Sequence, residues 1–285
     1  MHREDFFDLS IATIDPGEPS PGDADLVRIH EPTRGEIGSL VDDGWFYKPC
    51  YVTYVLRVRG SLDQYIDDAF HSGTRNKPRK LLRQVPERYA LAVEENGRSI
   101  GEFKELYRRT IVSRPRGRDR VGEHDEGFGS GWIGLYLREG TALVAGILVH
   151  ELRDHLSVAY GAFDPAHRAL DLEHYLIMQA IDRCARRRVP ALSLGMDTNR
   201  YGHHLALGLP AYKLRIGFTP MAWEPAGREL VKVQSFERFE KGLFFYSYQG
   251  RGIVGNLFTR AEPDLRPFQH HNAPEIRTFR IPSVN

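Results

Sequence analysis

Apolar positions are densest between Trp132 and Phe218. Two runs, WIGLYL (132–137) and TALVAGILVH (141–150), flank Arg138-Glu139-Gly140, and a third, HLSVAYGAF (155–163), follows. Short apolar runs bounded by turn residues predict buried sheet strands. Over 171–188 the period changes. Leu172, Tyr175, Leu176 and Ala180 recur at three- and four-residue spacing, which predicts one amphipathic helix. Pro190 closes that helix, and ALSLG (191–195) reads as a further short strand. This order implies a three-strand meander, a crossover helix and a strand parallel to the third, since parallel neighbours need a crossover of roughly a dozen residues or more.

Upstream, YVTYVLRVRG (51–60) alternates as a strand does. Ser61 with Gln64 makes a capping-box pattern for a helix ending near Gly73. A second helical segment runs from Lys77 to Gln84, with Pro78 tolerated in its first turn. YALAVEE (89–95) reads as a strand. Residues 99–111 read as a helix carrying Ile100, Phe103, Leu106 and Tyr107. Residues 12–36 hold prolines and little periodicity, and 113–131 is a charged, Gly-rich loop. Downstream, LVKVQSF (230–236) and LFFYSYQ (243–249) are strand-like. The expected organisation is an extended arm over 1–40, a strand–helix half over 41–130, a core over 131–260 and a Pro-rich tail over 261–285.

At 285 residues, 41% hydrophobic and 27% charged, the chain can bury a substantial core. No apolar run approaches about 18 residues, the length that suggests a membrane helix. The acidic start MHREDFFDLS lacks the apolar region of a signal peptide, so a cytoplasmic protein is expected. Two cysteines, Cys50 and Cys184, do not make a disulfide framework. Basic and acidic residues nearly balance, 39 against 38, but they are segregated. Arg75, Lys77, Arg79, Lys80, Arg83 and Arg88 cluster over 75–88. Further clusters occupy 108–120 and 186–188. The first of these suits phosphate contacts with a nucleic acid and equally suits a solvated helix face. Arg186-Arg187-Arg188 fits a helix C-terminus, where cations favour the dipole.

With the meander, the helix after Asp164-Pro165, the strand ending Gly195-Met196-Asp197, then Asn199, Ala211-Tyr212-Lys213 and Gly217-Phe218, the segment resembles the core of the GNAT acyltransferase superfamily, and within it the Fem-type (FemAB-like) branch. Tyr212 stands five residues ahead of Gly217, one more than is usual in the superfamily. The resemblance implies an α/β (α+β) fold with a mixed sheet and a splayed parallel strand pair. The 41–130 half would be a partial second unit of the same kind. It implies an acyltransferase forming an amide on a primary amine. By the resemblance Tyr212 is the candidate acid for the leaving group. Asp197 is a further catalytic candidate because it lies just past the fifth strand, where ligands meet open sheets. Asp164, at the end of the third strand, is a candidate for taking or holding the amine proton. Tyr160, Asn199 and Lys213 are candidates for holding donor or substrate, and Lys213 could steady phosphate or developing charge. Each Asp or Asn also suits a plain turn or cap.

One departure bears on the donor. GNAT members usually carry a glycine-containing pyrophosphate loop at the start of the crossover helix, where free backbone amides bind anions. Here HRALDLEHYL (167–176) has no glycine and places Asp171 and Glu173 in the first turn. The expected co-substrate is therefore aminoacyl-tRNA, with acetyl-CoA as the alternative, and no permanently bound cofactor is expected. The partners are then tRNA, bound by Arg75, Lys77, Arg79, Lys80 and Arg83, and a small-molecule amine or cell-wall precursor. A GNAT-like scaffold that binds RNA or protein without chemistry is the rival. GRGIVG (250–255) reads as a turn, because Pro263 and Pro267 shorten any following helix. GFGSG (127–131) precedes a strand, which argues against a phosphate loop. His203-His204 and His270-His271 lack companions at metal-ligand spacing, so no metal is expected.

Overall fold

Strands and helices alternate through most of the chain in a computed structural model, which describes residues 1–6, 9–95, 99–112, 119, 121, 128–167, 169–196, 207–239 and 242–281. The first elements are β1 (His2–Phe6), β2 (Leu9–Thr13), β3 (Leu26–His30), α1 (Arg34–Asp42), β4 (Phe46–Pro49) and β5 (Val52–Arg57). Next come α2 (Leu62–Ala69), α3 (Asn76–Arg88), β6 (Ala90–Glu95), α4 (Ile100–Val112), β7 (Trp132–Glu139), β8 (Ala142–Glu151) and β9 (Leu156–Phe163). Then follow α5 (Leu172–Arg187), β10 (Ala191–Met196), α6 (Gly208–Arg215), β11 (Thr219–Ala222) and β12 (Arg228–Val233). The last are β13 (Leu243–Gln249), β14 (Gly252–Thr259) and β15 (Ile276–Arg280). The chain divides into two compact units, Met1–Tyr54 with Met196–Asn285, and Val55–Gly195. These cut across the boundaries expected at 40, 130 and 260, and strands β1, β2 and β3 stand where an extended arm was expected.

In the unit Val55–Gly195, the end of β5 and then β10, β9, β8, β7 and β6 lie side by side in that order. The β6–β7, β7–β8 and β8–β9 pairs are antiparallel and β9–β10 is parallel, as the meander and crossover predict. Tyr136, Leu148 and Ala162 form one core with Phe103, Leu106 and Tyr107 of α4. Their neighbours Leu137, Ile147 and Val149 point the opposite way and are equally buried, where α5 crosses β7, β8 and β9. A sheet covered on both faces needs no polar alternation, so β8 is buried from Leu143 to Val149. The Tyr136 ring lies across two glycines. A Cβ at Gly134 or at Gly146 would stand 2.2 or 2.8 Å from that ring, so neither strand tolerates a side chain there. Asp171 caps α5, and the helix ends at Arg187 with Arg188 in the left-handed region (φ 58°).

In the other unit one sheet runs β1-β2-β3-β12-β4 and a second runs β13-β14-β15. Leu9, Ile11, Leu26 and Val231 of the first pack with Leu243, Phe245 and Phe258 of the second. Phe46 stands nearly perpendicular to Phe245, Phe258 and Phe279 at centroid distances of 5.2, 5.6 and 5.6 Å, a favourable arrangement for ring quadrupoles. Ala12, Val27, Ile29 and Leu230 face Trp45, with Ile37 and Leu40 of α1 against them. A reciprocal capping box of Thr33 and Glu36 starts that helix. One end of the β3–β12–β4 face is charged. Glu229 is fully buried and meets Lys48 Nζ at 2.7 Å and Arg28 at 3.9 Å, and Arg28 also pairs with Glu4 at 3.0 Å. Gly250 and Gly252 flank the β13–β14 hairpin turn, which agrees with the turn reading of GRGIVG.

Cys184 on α5 is fully buried, and burial pushes its thiol up to about 12. An unfolded cysteine ionises near 8.5. The folded state thus keeps a proton that the unfolded state releases as pH rises through this window, and stability declines there. The urea midpoint of unfolding should fall from pH 8.5 to 10.5, and fall less steeply in Cys184→Ala. The largest difference between the two slopes is about 1.4 kcal/mol per pH unit. Parallel slopes would show that this thiol does not ionise on unfolding as described.

Candidate functional site

The parallel strands β9 and β10 are in register only at Leu156↔Leu192 and Ser157↔Ser193. Beyond these pairs β9 continues to Phe163 and β10 to Met196, with no further registered pair between them among the described residues. Two local features lie where the register stops. On β9, Leu148 faces Tyr160 while Val149 faces Val158, so Ala159 is an extra, bulged residue. On β10, Gly195 takes a positive φ of 68° and its amide donates to Ser193 Oγ at 3.0 Å. A Cβ at Gly195 would stand 3.0 Å from the Val158 carbonyl oxygen. Only glycine combines that backbone conformation with that approach. Gly195 thus stays close to β9 at Val158, and no registered pair follows beyond it among the described residues.

The crossover helix that follows β9 has its N-terminus closed by the chain itself. Asp171 accepts from the His174 amide at 3.2 Å, the Leu172 amide donates to Leu170 O at 2.9 Å, and Glu173 stands in the first turn. A carboxylate cap and an acidic first turn satisfy donors and dipole that a phosphate would otherwise use. Nearby, buried His174 lies 3.5 Å from the Tyr65 hydroxyl, whose pKa is raised by burial. His167 Nδ1 lies 2.9 Å from the Tyr89 hydroxyl, with Glu139 at 3.9 Å from its other ring nitrogen. A hydrogen bond from Arg88 holds Glu139 below the usual carboxylate range. No sequence spacing announces this Tyr89–His167–Glu139–Arg88 chain, because sheet pairing alone brings its members together.

The expected site residues fall in both units. In Val55–Gly195, Tyr160 lies within an aromatic group, 5.8 Å from Tyr107, 6.1 Å from Phe128 and 6.3 Å from Trp132 between ring centroids. Trp132 stacks on His150 at 4.6 Å. Asp164 accepts from the Ala166 amide at 2.9 Å, which makes it the cap of a short 3-10 turn. On α3, Arg75 and Arg79 are drawn to Asp67 and Arg88 to Glu139. Lys77, Lys80 and Arg83 are exposed, while Pro78, Leu81 and Val85 form the buried face. In the other unit, α6 carries Tyr212 and Lys213. The Tyr212 hydroxyl is buried and Arg215 lies 5.3 Å over its ring. Lys213 is turned inward, only 8% exposed, with its ammonium 4.5 Å over the Tyr54 ring. Tyr54 in turn donates to Tyr246 at 3.0 Å. Asp197 and Asn199 lie outside the described residues.

Residues 69–203 match the family model of the acetyltransferase (GNAT) domain. That segment is similar to a GNAT acetyltransferase domain. The GNAT-like mixed sheet expected from the sequence is thereby confirmed, with its meander, crossover helix and parallel β9–β10 pair. No curated protein matches the chain at a significant level. Among solved structures the chain is similar to FemX, at 13% identity and a TM-score of 0.46, over 74% of this chain and 72% of that one. It is also similar to the C-terminal domain of a putative lysylphosphatidylglycerol synthetase from Agrobacterium fabrum, at 12% identity and a TM-score of 0.45, over 73% and 67% of the two chains. A third is L-PGS from Bacillus licheniformis, at 13% identity and a TM-score of 0.43, over 73% and 68%. Among the described residues no helix is long and apolar enough to cross a membrane.

Gly195→Ala tests this close approach. The positive φ costs an L-residue about 1–2 kcal/mol, and the new methyl group presses on the Val158 carbonyl. The midpoint of thermal unfolding should fall accordingly. Hydrogen exchange should change in β9 and β10 more than in β7. An unaltered midpoint would mean that β10 turns away without needing glycine.

Proposed function

We propose that this GNAT-type protein is a Fem-type N-acyltransferase that takes an aminoacyl group from aminoacyl-tRNA and forms an amide on a primary amine of a small molecule or cell-wall precursor. The observation that carries the choice of donor is the closed N-terminus of α5. Asp171 and Glu173 stand where a CoA pyrophosphate would need free amides and a positive dipole end. The exposed cations Lys77, Lys80 and Arg83 on α3 support the same reading, since phosphate contacts supply most of the affinity for a nucleic acid. Arg75 and Arg79, committed to Asp67, take a lesser part.

In this reading the neutral amine nitrogen attacks the ester carbonyl carbon. A C–N bond forms, the C–O bond to the ribose breaks, and the departing ribose oxygen takes a proton from Tyr212. The amine proton passes to a carboxylate, for which Asp164 and Asp197 are the candidates. Tyr160 and Asn199 hold the substrate. Lys213, buried against Tyr54, supports α6 and lends positive charge to the developing alkoxide. Placement supplies the larger part of the acceleration, because an ester is already activated towards an amine.

Tyr212→Phe should lower turnover by roughly a hundredfold or more while leaving the unfolding midpoint within about 1 kcal/mol of the wild type. Unchanged turnover would take Tyr212 out of the mechanism. Charge reversal of Lys77, Lys80 and Arg83 to Glu should abolish tRNA binding in a filter or mobility assay and flatten its salt dependence. Retained acyl transfer from acetyl-CoA in that triple variant, without any tRNA, would overturn the donor assignment.

A further inference from the structure

Three adjacent strands bring a histidine, a cysteine and a carboxylate together in the unit Met1–Tyr54 with Met196–Asn285. Glu229 on β12 pairs across the ladder with His30 on one side and with Lys48 on the other. Residues two apart on a strand share a face, so Cys50, just past β4, falls beside Lys48. One ligand atom from each of His30, Cys50 and Glu229 lies within 4.8 Å of the other two. Cys50 Sγ is 3.8 Å from His30 Nδ1.

We propose that His30, Cys50 and Glu229 form a binding site for one divalent transition-metal ion of the zinc class. The argument is geometric and chemical. A tetrahedral ion with Zn–S near 2.3 Å and Zn–N near 2.0 Å sets its sulfur and nitrogen about 3.5 Å apart, close to the observed 3.8 Å. Imidazole, thiolate and carboxylate together suit zinc and its neighbours rather than magnesium or calcium. Cys50 and Glu229 are buried while His30 is exposed. His30 also lines a cleft of about 560 Å³ with Arg34, Tyr47 and Glu224, which provides an entry path. The ligand able to move is thus the one at the entrance. Lys48 meets one oxygen of Glu229 at 2.7 Å and donates to Pro49 O at 2.8 Å. It acts as an outer-shell partner that orients the carboxylate, whose second oxygen lies 3.9 Å from Arg28. Lys48 and Arg28 also set a limit, because their positive charge opposes the ion and selects for a ligand set that includes a thiolate. On binding, the Cys50 S–H bond breaks, an Sγ–metal bond forms and the proton passes to solvent, so affinity rises with pH. The ion ties β3, β12 and β4 together through side chains.

The test uses the full chain purified in chelator, dialysed, and titrated with cobalt(II) as the probe. The expected result is a thiolate-to-cobalt charge-transfer band saturating at one equivalent, reversed by zinc, with an upward shift of the unfolding midpoint. Cys184→Ala should leave the band intact and Cys50→Ala should remove it. His30→Ala changes an exposed side chain and spares the fold, and it should weaken cobalt binding about tenfold or more, since even outer-shell losses reach that size. A band that survives in Cys50→Ala, cobalt binding unchanged in folded His30→Ala, or no thiolate band in the folded wild type would each overturn the site.

Discussion

Two neighbouring parallel strands that stop pairing partway must part without leaving buried backbone donors stranded, since such groups are costly. In this chain the registered pairing of β9 and β10 stops after Ser157 and Ser193, and local chemistry meets the change. The Gly195 amide turns to Ser193 Oγ, and a bulge at Ala159 shifts β9 against β8. Everything proposed for catalysis presupposes this opening, because an extended acyl donor needs backbone to lie against. The flanking layers hold the strands in place. α5 crosses β7, β8 and β9, and the Tyr136 ring fills the space over Gly134 and Gly146 on the opposite face, so the strands cannot shift without disturbing a close-packed interior.

The two units solve the problem of burial differently. In Val55–Gly195 the central strands are apolar on both faces and the charges stay on the rim, as in Arg138 with Glu102 and Arg183 with Glu95. In the other unit a carboxylate with no exposure sits beside a lysine and an arginine. A buried pair of this kind is weak evidence for stability, since desolvation offsets much of the attraction, but removing one partner strands the other. The cost of Lys48 and Glu229 is thus accepted at one end of an otherwise apolar interface between two sheets. It also puts a polar, ligand-capable face next to His30 and Cys50.

Legibility followed the same division. The meander, α5 and β10 were readable because strands buried on both faces appear as unbroken apolar runs, and because α5 has a clean period and a closing Pro190. β3 and β4 were not readable. Arg28 and Lys48 occupy inward positions, so LVRIH and FYKP lose the alternation that marks a strand. β1 was hidden likewise, with Arg3 and Glu4 inside its five residues. Among the candidate residues, Asp164 accepts from the Ala166 amide and Lys213 lies buried over the Tyr54 ring. Contacts of this kind come from the fold, and no residue type announces them.

Local sequence determined what depends on neighbours within a helical turn or a strand. It set the period of α5, the acidic residues at its start, the glycine at 195 and the cation-rich face of α3. Tertiary structure decided what depends on pairing across the chain. Glu229 meets Lys48 across 181 residues, His167 meets Tyr89 across 78, and Arg79 is neutralised by Asp67 while Lys77, Lys80 and Arg83 stay exposed. The physical reason is range. Backbone preference and capping act over a few residues, whereas a charge or an imidazole takes its role from whatever the folded sheet sets within a few ångströms of it.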